Sequence, residues 1–341
     1  MRHFLAILAC TAGFLGFSAR AADHAAILMY HRFGEDRIPS TNIRLEQFEA
    51  HISELMSGPY RVLPLLEIVQ KMRAGEALPD RAVALTADDA YLSVFTEAWP
   101  RLRRAGLPFT LFVATEPVDS KVKGYMTWDQ IRQMQREGAA IGAHSHRHFS
   151  YATMPVEAMR ADLALSVARF EKELGARPPL FAWPFGEWNA AALREVEAAG
   201  FIAGFGQHSG ISHARHPMYW LPRFPLNETY GDIRRVRQAL NALPFPVSEI
   251  EPGEVLLRLG QPGNPPALRF TAAPEVKYLS RITCYPSHQA GLINVRHLGG
   301  GRIEVKPESP FPAGRGRISC TLPTDEAGRL RWFGIQFLAV K

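Results

Sequence analysis

The sequence predicts an α/β fold, a parallel sheet or barrel of alternating strands and helices, followed by a small all-β domain. Three observations point there. Between Ala25 and Arg223, apolar runs of strand length alternate with helical spacing at roughly thirty-residue intervals, as in parallel strands joined by helical crossovers. After about Leu243 this alternation stops, and short strand-like runs separated by glycine-rich turns take over. Finally, residues able to do chemistry gather where the strand runs end, the end at which such folds keep their functional loops.

Taken in order, residues 1–21 read as a secretory signal peptide. Met1-Arg2-His3 is a short basic start, residues 4–17 are apolar, and Ala19-Arg20-Ala21 fits the small-x-small cleavage rule. The apolar run is too short for a spanning helix and does not recur, so no stable membrane insertion is expected. Ile7-Leu8-Ala9-Cys10 faintly resembles a lipoprotein site but leaves no apolar region ahead of it. Residues 22–243 are then the α/β domain, and residues 244–341 a proline-rich linker with a β-sandwich-like domain.

Residues 25–30 form an apolar strand that delivers Tyr30-His31. Leu45, Phe48, Ile52 and Leu55 share helical spacing; residues 61–65 suggest a short strand and 66–73 a second helix. Small and β-branched residues over 82–87 read as a buried strand that stops at Asp88-Asp89, with a helix over 91–104. Residues 108–115 are a strand, Thr127 caps a helix that Gly138 ends, and 139–143 run into His144-Ser145-His146-Arg147-His148. A long helix follows Pro155, then a strand over 180–183 ending in Pro184-Phe185-Gly186. Asn189 opens another helix, and 201–205 is the next strand. A loop rich in His and Gly leads to Arg223, expected at the end of a late strand.

Prolines 244, 246, 252, 262, 265 and 266 mark the expected linker, and strands are expected over 278–284, 292–298, 302–306, 317–322 and 330–340. Cys284 and Cys320 fall in two of these, and in an exported chain they are expected to pair. The chain has 341 residues and is 47% apolar, enough for a sizeable core and against disorder. Its net charge is +6, falling to +4 if residues 1–21 are removed with Arg2 and Arg20. A mild positive balance suits an anionic cell-envelope polymer, and no basic cluster resembles a nucleic-acid arm, so no nucleic-acid partner is expected. The oligomeric state is not legible.

Two adjacent carboxylates at a strand end point in different directions and are costly to bury unless one holds a cation or both do chemistry. A helix cap is the plainer explanation. His144 and His148 alone could be surface histidines. With Asp89 they make two His and one Asp, a three-ligand set with open positions that suits a catalytic divalent metal, most simply Zn2+. His146 is a spare. Asp88, beside a ligand but not itself bound, is placed to accept a water proton. His31 is a candidate acid for a departing amine, or a core histidine under the barrel.

These residues carry a family resemblance. Thr86-Ala87-Asp88-Asp89-Ala90 resembles the Thr-Phe-Asp-Asp-Gly motif of polysaccharide deacetylases of the NodB-homology type (carbohydrate esterase family four). His144-Ser145-His146-Arg147-His148 matches the His-Ser-x-x-His motif, and Ala182-Trp183-Pro184-Phe185-Gly186 resembles the third. The resemblance spans residues 25–223 and implies a distorted, incomplete (β/α) barrel. It also implies metal-dependent removal of N-acetyl groups from N-acetylglucosamine polymers. It makes Asp88 the base, Asp89, His144 and His148 the metal ligands, and the Phe185 N–H an oxyanion donor. The Tyr30-His31 start resembles the branch acting on exported poly-N-acetylglucosamine, which favours His31 as the acid. His208, His213 and His216 stay as rivals. Ala87 and Ala90 replace the usual Phe and Gly. Ala182 stands where many members carry an arginine that holds the base, a role Arg223 could assume.

The expected function is therefore metal-dependent deacetylation of an N-acetylated glycan by an exported enzyme, periplasmic or extracellular. A small-amide or lipid-linked-sugar amidase on the same barrel is a second possibility, and a glycan-binding protein with a decayed site a third. Tyr151, Trp183, Trp188, Trp220 and Phe149 are expected near the rim, with one or two facing sugar rings.

Overall fold

A computed structural model describes residues 21–341. Apart from Ala21, the expected signal peptide and Cys10 lie outside the described residues. Six strands, β1 (His24–Tyr30), β2 (Ala82–Ala87), β3 (Thr110–Val113), β4 (Ala140–Ala143), β5 (Leu180–Ala182) and β6 (Ala203–Phe205), lie side by side in chain order. All five neighbouring pairs are parallel. β1 and β2 are buried along their whole length, because helices cover one face of the curled sheet and the barrel interior the other. Parallel strands share one carboxyl end, so His31, Asp88, His144 and Phe185 emerge on the same rim.

The helices follow the expected signals. α1 (Leu45–Ser57) buries Phe48, His51 and Leu55, and α2 (Leu65–Ala74) ends at Gly75, whose φ of 67° suits glycine. The helix expected over 91–104 contains a π-turn at Val94–Ala98 before α3 (Trp99–Arg104). Pro100 has no N–H to offer the preceding turn, so the ladder widens there and Trp99 N–H reaches back to Val94. α4 (Trp128–Arg136) starts with a reciprocal cap between Thr127 and Gln130. α5 (Val156–Leu174) and α6 (Ala190–Ala198, capped by Asn189) complete the crossovers.

The barrel is incomplete, and its gap is closed by an irregular segment. Leu221 bridges Phe205 on β6, and Phe224–Pro225 pairs in parallel with Leu28–Met29 of β1. Arg223 therefore does not end a late strand as expected. It lies between these two edge contacts, which turn its side chain into the barrel. α7 (Ile233–Leu240) adds to the expected elements; Asp232 caps it, and Val236, Ala239 and Leu240, on the apolar face that begins at Ile233, are buried.

Beyond Leu243 the chain builds two sheets. The expected linker carries strands of its own: β7 (Val247–Glu251), β8 (Leu256–Arg258) and β9 (Leu268–Ala272). Its prolines punctuate short strands rather than replace them. With β10 (Thr283–Pro286), β11 (Val295–Gly299), β12 (Arg302–Val305), β13 (Gly314–Pro323) and β14 (Leu330–Val340), they form the two layers. One has the order β7-β9-β12-β11; the other runs from Leu243–Pro244 through β14 and β13 to β10, with β8 also on β14. Phe270 of the first meets Phe333 of the second at 5.2 Å between ring centres, marking the sandwich core.

β14 is buried from Phe333 to Ala339 because it is covered twice. Phe333, Ile335 and Phe337 face the sandwich, whereas Trp332, Gly334 and Gln336 face the barrel. Trp332 packs on Phe224 at 5.2 Å, and a Cβ at Gly334 would come within 2.2 Å of the Ser209 carbonyl oxygen. The two parts of the chain thus share a tight seam.

Cys284 and Cys320 sit directly opposite on β10 and β13, Cα atoms 4.1 Å apart, and form a disulfide. It ties neighbouring strands of one sheet and closes a loop spanning 36 residues. The double variant Cys284→Ala/Cys320→Ala is expected to lose about 2–4 kcal/mol of stability in urea unfolding. An unchanged midpoint would show that the bridge contributes nothing to stability.

Candidate active site

Three turns at the carboxyl ends of β2, β4 and β5 make the site, and all three are strained. Nine non-glycine described residues have positive φ, and five are here: Asp89 (75°), Ala90 (61°), Ser145 (67°), His148 (58°) and Phe185 (59°). Left-handed backbone costs an L-residue roughly 1–2 kcal/mol, so such clustering marks a place where geometry outweighs local comfort. Ala90 takes this conformation where the resembling motif has glycine.

Buried Asp162 on α5 holds the second turn. Its carboxylate accepts the N–H groups of His146 (2.9 Å) and Arg147 (3.1 Å) and the Tyr151 hydroxyl (2.7 Å). Ser145 Oγ accepts the His148 N–H at 2.9 Å, and Thr115 engages the ring of His146 at 2.7 Å. His146 is thereby turned away, leaving His144 and His148 to face Asp89.

Asp89, His144 and His148 offer ligand atoms that all lie within 4.8 Å of one another. Asp89 Oδ1 stands 3.2 Å from His144 Nε2 and 2.9 Å from His148 Nε2. His144 Nδ1 contacts the Ala182 carbonyl at 2.7 Å; a carbonyl only accepts, so Nδ1 carries the proton and Nε2 presents its lone pair. Buried Asp89 Oδ1 and His144 Nε2 lack a properly formed hydrogen bond despite their proximity. Two lone pairs facing each other in a buried site ask for a cation between them. Ligands about 2.0 Å from a tetrahedral zinc stand roughly 3.3 Å apart, close to the spacing observed. The donor set fits the group that the sequence implied. Burial alone would raise the Asp89 pKa, but the adjacent His144 and His148 rings outweigh it and hold it well below 3.8.

Asp88 and Arg223 form a fully buried pair, each 0% exposed. Arg223 Nη1 donates to Asp88 Oδ1 and Nη2 to Oδ2, both at 2.7 Å. Its Nε donates to the Gly206 carbonyl (2.9 Å) and Nη1 also to Thr86 Oγ1 (3.3 Å). Burial pushes Asp88 up, but the guanidinium and then His144 pull it further down, so it stays ionised.

His31 sits half-buried on the same rim. Burial lowers its pKa below 6.5, while Asp89 and Asp88 oppose that shift. The three rival histidines are elsewhere. His213 and His216 stack at 4.1 Å, and His208 and His216 lie against Trp220 at 5.5 and 6.0 Å. Burial depresses their pKa values to about 3 for His208, about 2 for His213 and about 4 for His216, so these rings are neutral at ordinary pH. The expected aromatic rim is corrected as well. Tyr151, Trp183, Trp188 and Trp220 are buried in the core, where flat apolar rings fill the barrel, and only Phe149 is open, at 56% exposure.

Sequence reasoning missed Asp162, Gln207 and Gln336. Gln207 Nε2 approaches Asp88 Oδ2 at 3.5 Å, and Gln336 Nε2 donates to the carbonyls of Phe185 and Gly186, both at 3.0 Å. Gln336 had one signal, a lone polar residue within the apolar run Phe333 to Val340. Asp162 had none, because a single acid in a long helix reads as a solvated face.

Among known proteins, the polysaccharide deacetylase family model matches residues 75–204. YxkH of Bacillus subtilis is 24% identical over 197 residues, covering 58% of this chain and 69% of YxkH. The poly-beta-1,6-N-acetyl-D-glucosamine N-deacetylase of Escherichia coli is 25% identical over 215 residues. That match covers 51% of this chain and 32% of that relative's length. The deacetylase PplD of Streptococcus pyogenes, solved with acetate, matches with a TM-score of 0.60 at 19% identity, covering 64% of this chain and 99% of that one. This last likeness is one of fold.

Proposed function

Because the polysaccharide deacetylase family model matches residues 75–204, we propose that the chain removes N-acetyl groups from a polysaccharide containing N-acetylglucosamine. The substrate is a cell-envelope or exported polymer, with poly-β-1,6-N-acetylglucosamine the first to test, as the name of the Escherichia coli relative suggests. The observation that carries this proposal is the meeting of Asp89, His144 and His148 with the Asp88–Arg223 pair on one rim.

In this reading Asp89, His144 and His148 hold a divalent metal, Zn2+ being the simplest fit to two imidazoles and one carboxylate. Such an ion supplies Lewis acidity, lowering the pKa of a water and polarising the acetamide carbonyl. Asp88, kept ionised by Arg223, accepts the proton of the attacking water. The Phe185 N–H points its dipole at the oxygen that gains charge as the tetrahedral centre forms. His31 gives a proton to the departing amine nitrogen. Export to the periplasm or beyond agrees with the expected signal peptide and the Cys284–Cys320 bridge, which suits an oxidising compartment. Among the described residues no helix is long and apolar enough to cross a membrane.

The test is acetate release from poly-β-1,6-N-acetylglucosamine and from chitin oligomers, with metal content measured on the same preparation. Release should stop on chelation and return with added Zn2+. His31→Ala should lower turnover about 10²–10⁴-fold with metal retained, whereas His208→Ala should lower stability instead. A protein that binds metal yet releases no acetate from any glycan would leave the proposal untenable.

A further inference from the structure

The seam between barrel and sandwich reaches the reacting centre. Gln336, in the middle of β14, is 4% exposed and lies outside the matched residues 75–204. Its Nε2 donates to the carbonyl oxygens of both Phe185 and Gly186 at 3.0 Å. Its Oε1 accepts the Arg317 Nε–H of β13 at 3.0 Å, which leaves no choice about which end of the amide faces the turn. The turn it grips is the strained one. Phe185 is held at φ 59°, and Gly186 at φ 70° has no room for a side chain, since a Cβ would come within 2.7 Å of Gln207 N.

A second contact runs in parallel. Arg315, two residues before Arg317 on β13, stands over the Phe185 ring at 5.6 Å, and its Nη1 reaches Gln207 Oε1 at 3.4 Å. Among the described residues neither Arg315 nor Arg317 has a carboxylate within 3.5 Å; the nearest approach is Arg315 to Glu187 at 3.9 Å. Arg317 is half-buried, and its burial lowers its pKa to about 10. Arg315 is exposed and Arg317 half-buried, and their hydrogen bonds go to the two glutamines that touch the Phe185–Gly186 turn and the Asp88 carboxylate.

We propose that Gln336 is a positioning residue for the deacetylation reaction. The carboxy-terminal sheet, through Arg317 and Gln336, fixes the Phe185–Gly186 peptides so that the Phe185 N–H keeps its aim at the developing oxyanion. This rests on the function proposed above, but the grip on the turn is a property of the chain itself. An unanchored left-handed Phe185 would relax toward ordinary backbone, and the N–H would swing away from the oxyanion. A misplacement of about 1 Å at a reacting centre costs roughly 10²-fold in rate. The sandwich is accordingly a working part of the active site.

The experiment compares full-length Gln336→Leu and Gln336→Glu with the unaltered chain. Gln336→Leu keeps the bulk without polar groups, and Gln336→Glu keeps the shape but replaces the donor by an acceptor facing two carbonyls. On a soluble N-acetylglucosamine oligomer, kcat should fall about 10–100-fold in both, with KM within about 3-fold and metal content unchanged. Amide hydrogen exchange over residues 183–188 should quicken in both, while exchange in β2 and β4 stays as before. If Gln336 only fills space, Gln336→Glu will match the unaltered chain in kcat and exchange, and the proposal falls. Equal exchange over 183–188 in all three proteins overturns it too. Should the unaltered chain release no acetate, the proposed function fails, while the exchange comparison still decides whether Gln336 holds the turn.

Discussion

Asp88→Asn is expected to abolish turnover, by about 10²–10⁴-fold, with the metal still bound. Asn is nearly the same size, so the pocket keeps its shape, but an amide cannot take the proton that the carboxylate accepts. Asp89→Asn should fail in a different way. The change removes the only charged donor among the three ligands, and metal affinity should drop by more than about 100-fold, since even groups that merely orient ligands are worth about 10–100-fold. Titration of each variant with Zn2+, followed by acetate release at saturating metal, separates the two. High Zn2+ should restore part of the Asp89→Asn activity and none of the Asp88→Asn activity. If both variants lost metal to the same extent, the division of labour between the adjacent carboxylates would be wrong.

Arg223 carries the second large effect. Its guanidinium and the Asp88 carboxylate are both 0% exposed and doubly hydrogen-bonded. Removing one partner of such a pair leaves a buried charge and costs about 3–5 kcal/mol, so Arg223→Met should be clearly less stable. The pH profile reports the role more directly. In the proposed role Asp88 works as a carboxylate, and its pKa lies below 3.8 because the guanidinium and then His144 outweigh burial, so activity should be lost only as pH falls through that depressed value. Without the cation, burial acts unopposed and the pKa rises; the acidic limb of kcat/KM should move up by about 1–3 pH units. Arg223→Lys keeps a charge but not the two parallel bonds, and should show a smaller shift with better stability. A profile identical in all three proteins would falsify the assignment of Arg223 as the group that holds the base.

Much of this was legible in the chain itself. Strand runs such as residues 82–87 announce themselves by continuous apolar β-branched composition, and parallel strands must end together. That alone placed Asp88, Asp89, His144, His148 and Phe185 on one rim. Local signals also set the helix starts at Thr127 and Asn189, because a cap needs only residues three or four positions apart. Strands between the prolines of 244–266 were missed, since short edge strands tolerate proline and carry too few residues to show a period.

The sequence by itself determined the strand–helix alternation, the His144-x3-His148 pair and the paired acids, because each depends on residues close in the chain or on a periodicity that survives without partners. Only the tertiary structure decided which arginine meets Asp88 across 135 positions, which histidines are sealed in the core, and how Gln336 reaches Phe185 across 151. Those contacts depend on how the 219–225 segment closes the barrel and how β14 lies against it. Such closure is a property of packed surfaces, and no local pattern of residues encodes it.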